Sequence, residues 1–139
     1  MWERNAYDAI FPLVGCVRDE KTTIFEVSEY YEEEASDILW EVSGSLRGWK
    51  AVTLMFGFEE RLFGIAENRG SGKECKIDET MFPYIYGNRV FSDSPLVNEY
   101  LWYARDNFGI LKDAELSPKK ADSGKSIMRK GNLRADGVI

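Results

Sequence analysis

The sequence predicts an α+β fold: a single small domain, a mainly antiparallel sheet, two principal amphipathic helices and a basic C-terminal tail. Three observations predict it. Residues 22–27 (TTIFEV) are rich in β-branched and aromatic side chains. Residues 49–68 hold two apolar runs separated by Glu59 and Glu60, the pattern of a hairpin. Residues 29–43 and 95–108 carry apolar residues at helical spacing.

In chain order, residues 5–14 predict a short helix that stops at Pro12. Residues 22–27 read as a strand. A helix over 29–43 follows, with Ser28 as its N-cap and Gly44 as its stop. Its apolar face is Tyr31, Ala35, Ile38, Leu39 and Val42. Residues 49–58 lack polar alternation, which predicts a strand buried on both faces. Residues 61–68 (RLFGIAEN) form the returning strand, and 69–76 (RGSGKECK) a polar Gly-rich loop. Residues 81–91 read as an edge strand interrupted by Pro83 and Gly87. Ser94 as cap and Pro95 as first helical residue open the second helix, and Gly109 closes it. The domain is expected over 1–112, with 113–139 as a polar, basic tail.

The 139 residues carry 18 Lys+Arg and 24 Asp+Glu, a formal net charge of -6, and no histidine. Without histidine there is no Ser-His-Asp or Cys-His nucleophile and no His-ligated metal. Cys16 and Cys75 have no CxxC partner, so a structural zinc site fails on ligand count. A disulfide between them is formally open; two reduced, buried thiols are the simpler expectation. The first ten residues contain Glu3, Arg4, Asn5 and Asp8, unlike a signal peptide. No stretch approaches the ~18 apolar residues of a membrane span. The expectation is a soluble, cytoplasmic protein (of the host cell, if the chain is viral).

Charge is unevenly placed. Residues 1–60 hold 13 acids and 5 bases, for -8; residues 61–112 hold 7 of each; residues 113–139 hold 4 acids and 6 bases, for +2. Within 29–43, Glu29, Glu33, Asp37 and Glu41 form one row at helical spacing. Each like-charge pair in such a row costs roughly a few tenths of a kcal/mol. A solvated helix face explains the row simply. The functional reading is an anionic face that meets a basic partner or competes with nucleic acid for a basic groove. Direct nucleic-acid binding is disfavoured, because it needs Lys and Arg to neutralise phosphates.

Of the 19 aromatic residues, 8 lie between 82 and 108. Tyr84 and Tyr86 fall on the edge-like segment, Trp102 and Tyr103 on the second helix. Trp102 lies off the stripe of Val97, Leu101, Ala104 and Phe108, as an interface anchor would. These four are the candidate apolar anchors; a helix buried all round is the competing explanation.

Chemical motifs fail one after another. Gly70, Ser71, Gly72 and Lys73 suggest a phosphate loop, but Glu67 and Glu74 stand where glycine and Ser/Thr are needed. Gly124, Lys125 and Ser126 have Lys119 at the earlier glycine position. The carboxylates show no spacing for an EF-hand. The run AVTLMFGFEERLFGIAEN resembles the β2–β3 hairpin of acyl-CoA-dependent N-acetyltransferases. In that family R/Q-x-x-G-x-G/A precedes a helix and holds the pyrophosphate. Residues 69–74 begin that motif and end it in Glu74. The resemblance covers about twenty residues and implies acyl-CoA binding.

The expectation is therefore a non-enzymatic protein-binding domain without metal or cofactor. It would act as a small acidic inhibitor, phage-encoded or mobile-element-encoded, or as an assembly subunit. Its partner would be another protein with a basic surface, and the tail is a candidate contact for a second copy. An N-acetyltransferase-like enzyme is the alternative.

Overall fold

The computed structural model describes residues 2–18 and 21–120. Among them it holds seven α-helices and one 3-10 turn, and no strand. The expected antiparallel sheet is not formed. A single antiparallel bridge joins Thr23 to Glu74.

Helix α1 (Trp2–Cys16) places Ala6, Ala9, Ile10, Leu13 and Val14 on one buried stripe, the 3.6-residue period of a core-facing helix. It runs through Pro12 instead of stopping there. It packs against α2, α3, α4 and α7, so it is the centre of the domain.

Helix α2 (Ile24–Tyr30) occupies the segment expected as a strand. Thr23 explains why. Its Oγ1 accepts from the Glu26 backbone N–H at 3.2 Å, and its own N–H donates to Glu26 Oε1 at 3.0 Å. This capping box satisfies two otherwise orphaned donors and outweighs the β propensity of TTIFEV. The Ser28 expected as a cap lies inside α2, buried, with its hydroxyl donating to Phe25 O at 2.6 Å.

Helix α3 (Glu32–Lys50) is longer than the 29–43 helix expected. The break from α2 falls at Tyr31. Glu32, Glu33 and Glu34 occupy the first turn of α3, where the helix dipole favours carboxylates. The helix passes Gly44 and ends at Ala51, which holds a left-handed φ of 53° and donates its N–H to Arg47 O. Arg47 and Lys50 complement the dipole in the last turn.

Residues 51–57 form an irregular connection, and α4 (Phe58–Arg69) follows. Both halves of the expected hairpin are thus absent. Glu59 and Glu60, read as its turn, are the first turn of α4. Phe58, Leu62, Phe63 and Ala66 face the core at helical spacing. Gly70 closes α4 where it meets α2. A Cβ there would stand 2.4 Å from Ala66 O and 2.6 Å from Phe25 N, so only glycine fits without displacement.

The expected edge strand 81–91 is instead two single-turn helices, α5 (Phe82–Ile85) and α6 (Arg89–Ser92), preceded by the 3-10 turn Glu79–Met81. Asp78 and Asn88 cap the 3-10 turn and α6 through side-chain oxygens.

Helix α7 (Pro95–Phe108) forms as expected. Ser94 Oγ accepts from Val97 N at 3.2 Å, and Gly109 adopts the left-handed conformation (φ 67°) that ends the helix. The chain then returns along α7. Ser117 O accepts from Trp102 Nε1 at 2.7 Å, and Lys120 N donates to Asn98 Oδ1 at 2.9 Å. The start of the segment expected as a tail therefore lies against the domain. Residues 121–139, with the Gly124 to Ser126 loop, lie outside the described residues. No described helix is long and apolar enough to cross a membrane.

Candidate protein-interaction surface

The acidic row is split by the helix break. Glu29 lies exposed in the last turn of α2, and Glu33 and Asp37 lie exposed on α3. Glu41 serves another end. Its Oε1 accepts from Leu96 N at 2.8 Å and from the Ser94 hydroxyl, so it caps α7. Three of the four acids share the exterior, and the fourth joins α3 to α7.

The four candidate aromatics do not converge. Tyr84 is exposed. Tyr86 is buried, its hydroxyl donates to Ala9 O, and burial pushes its pKa well up. Tyr103 is buried with its ring edge-on to Phe108 at 5.8 Å. Trp102 is half-buried beneath the returning chain, with Lys119 Nζ 5.2 Å and the Arg105 guanidinium 5.4 Å from its ring centre. Helical geometry separates Trp102 from Tyr103 by about 100°, and Tyr84 lies within α5 whereas Tyr86 follows its end and turns into the core.

A different apolar surface stands open. Phe56 is 101% exposed, Met55 74% and Trp40 58%. Met55 and Phe56 lie at the tip of the 51–57 connection, and Trp40 lies on α3 beside it. The tip is held from behind. Arg61 donates from Nη1 to Phe56 O at 2.8 Å and from Nη2 to Met55 O at 3.2 Å. The same guanidinium grips Glu3 with two bonds, at 3.1 and 2.7 Å. That hydrogen bonding lowers the Glu3 pKa below its ordinary value.

Trp40 is held as well. Its Nε1 donates to Glu59 Oε2 at 2.6 Å, and Ser36 Oγ donates to the same oxygen at 2.7 Å. Its ring stacks edge-on to Phe58 at 5.0 Å. Between Trp40 and the connection lies a recess of about 330 Å³ lined by Leu54, Phe56 and Phe58, with Arg47 and Glu60 at its edge. Aromatic residues, Met and Arg are the types enriched at protein interfaces. The sequence carries one signal of this surface: AVTLMFGF is apolar without the period of a strand or a helix.

Buried polar groups elsewhere are structural. Arg18 pairs with Glu34 and donates to Tyr100 OH at 3.2 Å, and its guanidinium sits 4.5 Å from the Tyr31 ring centre. Cys16 Sγ donates to Leu13 O at 3.3 Å, and burial pushes the Cys75 thiol far up, holding it protonated. Among the described residues no group of three or more His, Cys, Asp or Glu can hold a metal ion. Gly70 and Lys73 turn their carbonyls inward to Phe25 N and Ile24 N, tying the Gly-rich loop to the start of α2. The segment likened to an acetyltransferase hairpin is a connection and a helix, so that resemblance loses its structural basis.

Comparison with protein-family models, with curated proteins and with solved structures finds no match.

Proposed function

We propose that this chain is a non-enzymatic protein-binding domain, an inhibitor or an assembly subunit, that acts through the surface around Trp40, Met55 and Phe56. The observation that carries the reading is the wholly exposed Phe56 on a connection that Arg61 holds in place. Exposed large apolar groups cost solubility, and clustered ones mark interaction sites. A tip fixed before contact loses little entropy on binding, so its apolar area translates into affinity. Glu33 and Asp37 lie on the same helix as Trp40, within two turns of it, and would add steering toward a basic partner. The anchors move from Tyr84, Tyr86, Trp102 and Tyr103 to Trp40, Met55 and Phe56.

The test is affinity capture from the native source by the immobilised full chain, beside Phe56→Ser and Glu33→Lys with Asp37→Lys. The reading expects a protein retained by the wild type and lost with Phe56→Ser; weakening by added salt and by the charge reversals marks a basic occupant, and strengthening by both marks an acidic one. Identical capture by all three chains would remove it.

A further inference from the structure

Resting on that reading, we infer that the apolar surface is occupied by a second copy of this chain, related by a two-fold axis, with Phe56 of each copy seated in the other's recess. An isologous contact needs a projection and a matching hollow on one patch. Both are present. Phe56 stands wholly in solvent, and the recess of about 330 Å³ between Trp40, Leu54 and Phe58 adjoins it. Phe56 does not fill its own recess, because Arg61 ties the carbonyls of Met55 and Phe56 to the start of α4.

Charge supports a copy of the same chain. The recess lining carries both signs, exposed Arg47 on the one hand and Glu59 with exposed Glu60 on the other. In a two-fold contact Arg47 of one copy can meet an acid of the other, whereas a patch of one sign would repel itself. Area agrees too. Phe56, Met55 and Trp40 expose roughly 500 Å² together, taking about 150–250 Å² for a whole aromatic side chain. Two copies would bury about 1,000 Å² from these residues alone, the lower bound for a specific interface, before any rim is counted.

Salt separates this occupant from a basic partner. Copies that each carry -6 repel at long range, so screening strengthens self-association and weakens attachment to a basic protein.

The experiment is sedimentation velocity of the full chain over a wide concentration range at low and high salt. Expected is a reversible monomer–dimer equilibrium, tighter at high salt. Phe56→Ser should raise the dimer Kd at least about 30-fold, the loss expected of a central anchor. Phe56 is fully exposed, so this variant keeps its helical circular dichroism. Arg47→Glu should weaken the dimer, and Arg47→Glu with Glu60→Arg should restore it. A wild type that stays monomeric at every concentration overturns the inference, as does a dimer indifferent to Phe56→Ser. A photo-crosslinking residue at position 56 then tells the two failures apart. Adducts with a different protein end the second-copy inference and leave the protein-binding reading standing. Adducts with lipid alone, or none, end both.

Discussion

Replacing Glu34 by Gln tests the packing of the domain at its most consequential polar contact. Arg18 is 2% exposed and Glu34 4%, so the pair lies sealed from water. It joins the residues after α1 to the first turn of α3, and Tyr100 brings in α7. The substitution conserves volume but leaves a guanidinium buried beside a neutral amide. Breaking one side of a buried pair costs about 3–5 kcal/mol. Total stability for a domain of this kind is about 5–15 kcal/mol. An unfolding entropy of about 2.1 cal/mol/K per residue, over the roughly 120 residues the structure describes, gives about 0.25 kcal/mol/K. Tm should therefore fall by about 12–20 °C. Urea unfolding followed by circular dichroism at near-neutral pH should show the same loss in ΔG. Arg18→Met with Glu34→Leu removes both charges, and should return within about 1 kcal/mol of the wild type or exceed it. A cost below about 1 kcal/mol for Glu34→Gln would refute burial of the pair. A double variant as unstable as the two single losses added together would refute the pairing.

Three further outcomes follow from the same structure. Ala51→Gly relieves a left-handed alanine at the end of α3 and should stabilise by about 1 kcal/mol in urea unfolding; destabilisation would contradict that helix end. Cys75, buried and with its thiol pKa raised, should resist thiol reagents at mildly alkaline pH until the protein is unfolded; fast native labelling would contradict its burial. The Glu3 carboxylate, held by Arg61, should titrate by NMR below its ordinary value, and Arg61→Ala should restore that value. Because the folded value is the lower one, the stabilisation from the Arg61–Glu3 pair is present above the ordinary glutamate range and is lost as pH falls through the folded value. A midpoint at the ordinary value would show that the grip is absent in solution.

Helix α7 was fully legible because its ends are encoded locally, by Ser94, Pro95 and Gly109. The central segments were not. In TTIFEV, β-branched content is a weak preference, while Thr23 and Glu26 supply two specific hydrogen bonds that start a helix. The apparent hairpin misled for a related reason. Glu59 and Glu60 between two apolar runs suit a turn, but acids also suit the first turn of a helix. The C-terminus of α3 carries no glycine signal: Ala51 takes the left-handed position, and Gly44 lies within the helix.

The interaction surface was legible only in part. Spacing places Glu33, Asp37 and Glu41 on one helix, but nothing local announces that Glu41 turns inward to cap α7. Aromatic residues are densest between 82 and 108. Density there reflects burial, as Tyr86 and Tyr103 show. Phe56 sits in a run read as doubly buried, and only its tertiary position, held out by Arg61, places it in solvent.

Contact through the surface around Trp40, Met55 and Phe56 is tested most directly by a photo-crosslinking amino acid placed at position 56 of the full chain in the cells that make it. A control at Glu67, exposed on α4, reports random encounter. Binding through this surface predicts a discrete protein adduct from position 56, of twice the chain's mass if the occupant is a second copy, and none from position 67. The absence of any protein adduct from position 56, or equal adducts from both positions, would contradict it.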